Sequence, residues 1–307
     1  MGFLENGQWN TKEGFSISNT GSFDRPKSIF RHTISNKGPF KAEANRYHLY
    51  VSHACPWAHR TLIMRSLKKL TPLISVDVLH PNMNDKGWEF RSDYEACTGD
   101  SLYNKHALFE LYQLADPTAS CRVTVPVLWD KKTTTIVNNE SSEIIRLFNT
   151  AFNSLTGTTS DYYPPTLRTP IDTFNKQIYD TLNNGVYKAG FAQQQAAYDT
   201  AVHALFETLD MLNKHLKSCT YLVGETLTEA DIRLYVTLIR FDSVYHTHFK
   251  CNKKLIAQYP NISRYLKNLY EIPAFKNTTF HNHIKHHYYT SHPHINPYRI
   301  IPIGAFK

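Results

Sequence analysis

Apolar residues recur with two different spacings along the chain, and the change between them divides it into two halves. In the first half β-prone runs alternate with helical patterns, whereas in the second half nearly every pattern has the helical period. The first half is predicted to contain strands at 46–51, 73–79, 125–129 and 134–137 and helices at 56–70, 106–115 and 140–148. One helix separates the first two strands, so we expect them to pair in parallel through a right-handed crossover. The predicted order is βαβαββα, which belongs to the α+β class.

The second half follows a linker rich in Pro and Thr and is predicted to be all helical. Its main helices are expected at 172–183, 193–216, 229–245 and 260–270. Thr228 at an N-cap, with Asp231 three residues later, forms a capping-box pattern that specifies the start of the third of these helices. Its expected role is structural.

Three parts follow from these patterns and from the length of the chain. Residues 1–44 show no sustained period and predict an irregular arm packed on the body. A chain of 307 residues exceeds the size at which a single hydrophobic core keeps growing, so two further domains are expected. We place them at 45–156 and at 165–307, the second ending in a tail rich in His and Tyr.

Composition and charge narrow the class of protein. The chain is 41% hydrophobic and 20% charged, has no apolar run of the roughly 18 residues that a membrane span needs, and lacks the profile of a signal peptide at its start. We therefore expect a cytoplasmic protein that does not bind membranes. The net charge is +8, but the basic residues are scattered, which argues against nucleic acid and favours a field that attracts a small anionic substrate.

The cysteines point to thiol chemistry at one position. The chain has five, an odd number with neither a CxxC pair nor a zinc pattern, as expected in a reducing compartment. Cys55 follows a predicted strand and precedes Pro56, which suits the first turn of a helix. Backbone N–H groups at a helix start favour a thiolate, so Cys55 is predicted to be a nucleophile, whereas the other four cysteines are predicted to be inert. Ala58 stands where dithiol oxidoreductases carry a second cysteine, so an external thiol must resolve any mixed disulfide.

Several motifs resemble one family. The βαβαββα half followed by a helical half resembles the cytosolic glutathione transferases, which have a thioredoxin-like domain and an all-α domain. Several short sequence segments are similar to those of the glutathionyl-hydroquinone reductases, which form the omega-like Xi class. The segments that carry this resemblance are SHACPWAHR at 52–60, WEF at 88–90, RVTVPVLWD at 122–130, NES at 139–141, HYYTSH at 287–292 and INP at 295–297.

The resemblance implies glutathione as a co-substrate, and this half of the chain offers complementary groups. Glu140 would pair with the amine of the γ-glutamyl end, while Ser141 and the helix N–H groups would receive its carboxylate. Arg122 offers charge for the other carboxylate. The Val125-Pro126 bond is expected to be cis, leaving the backbone of Val125 to bind the peptide of glutathione, and Trp88 is expected to form a pocket wall.

The resemblance also implies a reaction. Cys55 would attack the sulfur of a glutathionyl-hydroquinone, and two tyrosines would stabilise the developing phenolate of the leaving group. The family pattern places them at Tyr187 and Tyr288 among the 19 tyrosines. A homodimer is expected on resemblance alone.

Two other functions are compatible with a single reactive cysteine or with this fold. An omega-like thioltransferase or dehydroascorbate reductase would use the same lone cysteine on mixed disulfides, and a catalytically silent scaffold would need an inert Cys55. Histidines in the tail have spacings that a metal could use, but no Cys or acidic ligand accompanies them within this stretch, so no metal is predicted.

Overall fold

The computed structural model describes residues 2–11 and 16–304, with the exception of the side chain of Ser16. The strands in this part of the chain are β1 (Phe3–Glu5), β2 (Gln8–Asn10), β3 (Ser16–Ile17), β4 (Phe23–Asp24), β5 (Tyr47–Val51), β6 (Ser75–Val78), β7 (Cys121–Arg122), β8 (Val127–Asp130) and β9 (Thr135–Asn138). The helices of the first half are α1 (Pro56–Leu67), α2 (Leu108–Ala115), α3 (Ser141–Thr150) and α4 (Asn153–Thr156). Each predicted strand and helix of this half is present.

Helices make up the remainder. They are α5 (Arg168–Ile178), α6 (Gly185–Gly190), α7 (Gln195–His215), α8 (Glu229–Arg240), α9 (Pro260–Tyr270), α10 (Pro273–Lys276) and α11 (His281–Ser291). Short 3-10 helices lie at Pro165–Leu167 and Ile256–Gln258, and π-helical turns at Tyr179–Asn183 and Phe241–Tyr245 continue α5 and α8. No described helix combines the length and apolar character that crossing a bilayer requires.

The central sheet has four strands in the order β6-β5-β8-β9. β5 pairs with β6 in parallel, with His48 opposite Ser75, and with β8 in antiparallel orientation, with Leu49 opposite Leu128. The pairing of β5 with β6 confirms the predicted parallel arrangement, and α1 lies between these two strands in the chain. This sheet and the helical second half together confirm the predicted fold class.

The predicted capping box is present at the start of α8. The N–H of Thr228 donates to the carboxylate of Asp231 at 2.8 Å. The same carboxylate accepts from the Leu222 N–H and from the Tyr265 hydroxyl, each at 2.8 Å. Asp231 therefore ties the helix start to two neighbouring segments, in keeping with a structural role.

The prediction of an irregular arm is wrong for part of residues 1–44. β1 pairs with β2 and also with β7, so that Phe3 lies opposite Arg122. β3 and β4 form a separate two-stranded ribbon. These strands depend on pairing partners, one of them far away in sequence, which a search for local periodicity cannot detect.

The chain forms two compact units, and each is built from more than one segment. The first comprises Met1–Gly14, Pro26–Ser160 and Thr278–Ser291, and the second Phe15–Arg25, Asp161–Asn277 and His292–Lys307. Helix α11 therefore belongs to the first unit, although the sequence boundaries grouped it with the helical domain. Hydrogen bonds explain this: His283 Nε2 lies 2.6 Å from the carbonyl oxygen of Glu95, and His287 Nδ1 lies 2.7 Å from that of Pro81.

Candidate active site

Cys55 is the N-cap residue of α1, directly after the turn that leaves β5. Its N–H donates to the Ser52 carbonyl at 3.1 Å, and its own carbonyl accepts the first helical hydrogen bond from His59 at 3.0 Å. Pro56 occupies the first helical turn, which contains no acidic residue. The thiol thus lies at the end of the helix where N–H groups and the macrodipole favour negative charge.

The Cys55 thiol lies against a loop that contains a cis peptide bond. Its Sγ donates to the carbonyl oxygen of Val125 at 3.5 Å, and the Val125-Pro126 bond is cis, as the sequence predicts. Cys55 is 8% exposed and Val125 is 4% exposed. The structure therefore brings together two of the predicted site residues that are 70 positions apart in the sequence.

A buried tyrosine connects this loop to the start of α3. The Tyr112 hydroxyl donates to the Thr124 carbonyl at 2.8 Å and accepts from the Asn139 side-chain amide at 3.0 Å. The Thr124 N–H also approaches this hydroxyl, at 3.3 Å. Burial raises the pKa of Tyr112 to about 12, so the hydroxyl remains a proton donor at neutral pH.

The start of α3 holds Glu140 and Ser141. Glu140 is the N-cap residue, and its Oε1 accepts from the N–H and the hydroxyl of Ser142 at 3.0 and 2.8 Å. Its Oε2 accepts a weaker hydrogen bond from Ser28 at 3.3 Å. The Ser141 hydroxyl is buried and has no hydrogen-bond partner within the described part of the chain. A buried hydroxyl without a partner is costly, so this position suits a bound polar group.

Trp88 contacts His287, the residue that precedes Tyr288 in the chain. The Trp88 ring stacks on the His287 ring, with centroids 4.9 Å apart, and the His287 and Tyr288 rings are 5.2 Å apart. Trp88 is 6% exposed and Tyr288 is 1% exposed. Since α11 carries both His287 and Tyr288, the stacking helps to orient this helix within the first unit.

Arg122 lies in the short strand β7. It is half-buried in β7, where it pairs with Phe3 of the arm. Its role in binding a carboxylate stays a prediction.

Tyr187 belongs to the second unit. It lies in α6, is 9% exposed, and its ring packs against those of Phe249 and Phe191 at centroid distances of 5.4 and 6.0 Å. The guanidinium carbon of Arg25 lies 4.9 Å from the Tyr187 ring centroid. The phenol is thus held between apolar rings and a cation.

Three of the other cysteines are disfavoured as thiolates. Burial raises the pKa of Cys97 and of Cys121 to about 11, and it raises the pKa of Cys251 further. The described His, Cys, Asp and Glu side chains form no group of three or more that could hold a metal ion. Instead, tail histidines such as His283 and His287 dock α11 on backbone carbonyls.

Tyr112, Asn139 and His287 are the site neighbours that sequence reasoning missed. In the sequence Tyr112 falls among the apolar positions of the predicted helix 106–115, and nothing in that pattern shows that its hydroxyl supports the cis-proline loop. Asn139 and His287 lie in the motifs NES and HYYTSH, which carry the family resemblance, and this position is the signal that could have identified them.

Comparisons with known proteins agree with this architecture. The glutathione S-transferase N-terminal domain family matches residues 54–151, and the corresponding C-terminal domain family matches residues 195–268. Glutathionyl-hydroquinone reductase YqjG of Escherichia coli is 53% identical over 315 residues, covering 100% of this chain and 96% of that protein. A glutathione S-transferase Xi from Phanerochaete chrysosporium has a solved structure that matches with a TM-score of 0.93 at 53% identity, covering 94% and 95% of the two chains.

The chain belongs to the Xi class of the glutathione S-transferase family. This confirms the resemblance predicted from the motifs. The glutathione-bound structure of YqjG, a glutathione transferase homologue from Escherichia coli, also matches, with a TM-score of 0.89 at 52% identity, covering 99% of this chain and 96% of that one.

Proposed function

We propose that this protein reduces glutathionyl-hydroquinones to hydroquinones at the expense of glutathione, through a mixed disulfide between Cys55 and glutathione. The observation that carries the proposal is the setting of Cys55. It is a lone thiol at a helix N-terminus, 3.5 Å from the carbonyl of a cis-proline loop, with Ala58 where a second thiol would stand. Such a thiol can form a mixed disulfide and needs an external thiol to resolve it.

The groups around the start of α3 suit glutathione. The unpartnered Ser141 hydroxyl and the α3 N–H groups would receive the γ-glutamyl carboxylate, and Glu140 would pair with the amine. The backbone of Val125 would pair with the peptide of glutathione, Trp88 would form a wall of the pocket, and Arg122 would neutralise the second carboxylate.

The proposed reaction has two steps, formation of the mixed disulfide and its cleavage by a second glutathione. The bound glutathionyl-hydroquinone first tautomerises to a ketone, in which a hydroxyl proton has moved to the ring carbon that bears sulfur, and the Cys55 thiolate then attacks the glutathione sulfur. The carbon–sulfur bond breaks, its electron pair passes through the ring to the ketone oxygen, that oxygen takes up a proton, and the hydroquinone leaves. A second glutathione thiolate attacks the mixed disulfide, releases glutathione disulfide and restores the Cys55 thiolate.

Two tyrosines are assigned to the leaving group. Tyr187 and Tyr288 would donate hydrogen bonds to the oxygen on which phenolate charge develops, because a carbon leaving group needs more stabilisation than a thiolate. Disulfide substrates would not need this help.

A side-by-side steady-state assay tests the proposal. We would compare a glutathionylated hydroquinone, hydroxyethyl disulfide and dehydroascorbate with the unmodified protein and with Cys55→Ala, Tyr187→Phe and Tyr288→Phe. We expect the unmodified protein to prefer the glutathionylated hydroquinone several-hundred-fold over the other two substrates. Cys55→Ala should abolish turnover of the glutathionylated hydroquinone. Each Tyr→Phe change should lower hydroquinone turnover about 100-fold and leave disulfide exchange intact. Tyr289→Phe, at the buried residue next to Tyr288, is the matched control and should retain full turnover.

Other outcomes would name a different function. Equal turnover of all three substrates, with no effect of the tyrosine changes, would favour an omega-like thioltransferase. No turnover of any substrate, together with slow alkylation of Cys55, would favour a scaffold. A cytoplasmic location remains a prediction from the sequence, and a homodimer remains a prediction from the family resemblance.

A further inference from the structure

Arg25 lies over the face of Tyr187 in the second unit. Its guanidinium carbon is 4.9 Å from the Tyr187 ring centroid and 5.4 Å from that of Phe23. The Phe23 and Tyr187 rings are 6.4 Å apart. A cation within about 6 Å of a ring centroid is attracted by the ring quadrupole, and the attraction grows when water is displaced. At 9% exposure Tyr187 offers such a setting.

A hydrogen bond fixes the direction of the Arg25 side chain. Its Nε donates to Oδ1 of Asn184 at 2.9 Å. The carbonyl of Asn184 accepts from the N–H groups of Tyr187 and Lys188 at 3.1 and 2.9 Å, so this residue begins α6. One buried asparagine thus holds both the guanidinium and the helix that carries Tyr187.

The segment that carries Arg25 is itself anchored. Arg25 directly follows β4, which pairs with β3 so that Ile17 lies opposite Phe23. The N–H of Gln193 donates to the Gly21 carbonyl at 3.0 Å. Gly21 has φ of +74°, and a Cβ there would approach Cγ of Gln194 to 2.7 Å, so the turn requires glycine. The position of Arg25 is therefore fixed by the folded β3–β4 ribbon that it follows.

A cation over a phenol ring acts on the acidity of its hydroxyl. The ring becomes more electron-rich as the O–H bond gives up its proton, so the attraction to the cation strengthens as negative charge develops on the oxygen. A phenol in this position is a stronger hydrogen-bond donor than the same phenol without the cation.

We propose that Arg25 is a positioning residue that strengthens Tyr187 as the hydrogen-bond donor to the departing hydroquinone oxygen. This inference rests on the function proposed above and goes beyond it, because it assigns a catalytic consequence to the segment 16–25. Arg25 acts through Tyr187 and has no step of its own in the electron flow.

The test separates charge from bulk. Arg25→Met and Arg25→Gln remove the charge, and the amide of Gln can keep a hydrogen bond to Asn184. Arg25→Lys keeps the charge. The matched control is Arg168→Met, because the Arg168 guanidinium carbon lies 5.1 Å from the ring centroid of Tyr163 in the same kind of contact.

The first readout needs no turnover. In the full-length protein labelled with ¹³C at the tyrosine Cζ, Tyr187→Phe assigns the Tyr187 resonance, and its titration is followed with pH. We expect Arg25→Met and Arg25→Gln to move the midpoint up by about one pH unit. Arg25→Lys should move it by less, and Arg168→Met should leave it in place. An unchanged midpoint in both neutral variants overturns the proposal.

The second readout is kinetic. We expect kcat for a glutathionylated hydroquinone to fall about tenfold in Arg25→Met, with KM for glutathione and hydroxyethyl disulfide turnover unchanged. In a Tyr187→Phe background, Arg25→Met should have no further effect. An additional tenfold loss there overturns action through Tyr187. If the midpoint moves but Tyr187→Phe keeps full turnover, the contact still tunes the phenol, while the proposed role of Tyr187 and the positioning role of Arg25 are both overturned.

Discussion

Trp88 and His287 stack face to face, with ring centroids 4.9 Å apart and planes 19° from parallel. The His287 ring is also held at Nδ1, 2.7 Å from the Pro81 carbonyl oxygen. The helix that carries Tyr288 is thereby fastened to the residue proposed as a wall of the glutathione pocket.

Loss of this stacking should weaken glutathione binding. An aromatic pair contributes about 0.5–1.5 kcal/mol beyond its buried area, so we expect His287→Ala to raise KM for glutathione about fivefold. Steady-state kinetics with varied glutathione measure this. The control is Asn282→Ala, an exposed residue of the same helix whose removal costs one surface hydrogen bond to Glu95. An equal rise in both variants would contradict a specific role for the stacked ring.

Removal of the Tyr112 hydroxyl should affect both stability and binding. Tyr112→Phe leaves the Thr124 carbonyl and the Asn139 amide without this partner, at a cost of about 1–3 kcal/mol in the free energy of unfolding. Because Thr124 adjoins the cis-proline loop, we also expect a severalfold weaker affinity for glutathione. Denaturant unfolding and calorimetric titration with glutathione provide the two measurements.

Tyr47→Phe is the matched control for this change. The Tyr47 hydroxyl donates to the Lys41 carbonyl at 2.7 Å, in the same unit but with no hydrogen bond to the cis-proline loop. Stability should fall in this variant, whereas glutathione affinity should not. A normal affinity in Tyr112→Phe would show that the loop holds its shape without the tyrosine.

Alkylation should select one thiol. Thiols with a pKa of about 11, such as those of Cys97 and Cys121, are thiolate in roughly one molecule in ten thousand at pH 7. Cys55 has the N-terminus of α1 to favour its thiolate. Brief treatment with iodoacetamide, followed by peptide mass spectrometry, should label Cys55 first.

Cys219 is half-exposed, so the labelling is best repeated in a Cys219→Ser background. Cys55→Ser should then remove the fast phase of labelling. Preferential labelling of Cys97 or Cys121 would argue that Cys55 is not the reactive thiol.

Acid should loosen the attachment of α11. Burial lowers the pKa of His80, His283 and His286, so the folded state favours their neutral forms. Below about pH 6.5 the unfolded chain takes up protons that the folded chain does not, and stability falls as the pH falls. The slope is at most about 1.4 kcal/mol per pH unit for each histidine.

Denaturant unfolding at pH 7.5, 6.5 and 5.5 measures this slope. His286→Gln should make the slope shallower. The nearby charge of Arg91 also lowers the pKa of His80, whereas the carboxylate of Asp93, 3.7 Å from His80, raises it. An Asp93→Asn variant should therefore steepen the slope, and a slope that neither change alters would exclude these groups.

Features that depend on residues within one helical turn could be predicted from the sequence. The start of α1 and the capping box of α8 were predicted because Pro56, Thr228 and Asp231 carry local signals that act within one helical turn. The cis bond before Pro126 was predicted because proline is unexpected at the start of a strand unless its peptide bond is cis.

Features that depend on distant partners were not predictable in this way. The pairing of Phe3 with Arg122 joins segments more than a hundred residues apart, and no local pattern at either segment encodes the other. The cation over Tyr187 likewise comes from Arg25 in the arm. Long-range pairing decides such positions, and a single sequence contains no direct record of it.

The segmented make-up of the first unit has a consequence for biosynthesis. Thr278–Ser291 completes this unit, yet it leaves the ribosome only after the whole of Asp161–Asn277. A nascent chain that ends before residue 278 therefore contains Cys55 but neither Tyr288 nor the ring that stacks on Trp88. Co-translational folding can begin the first unit early but can finish it only after Ser291 has been added, so products truncated before residue 278 would be thiol-bearing yet incomplete.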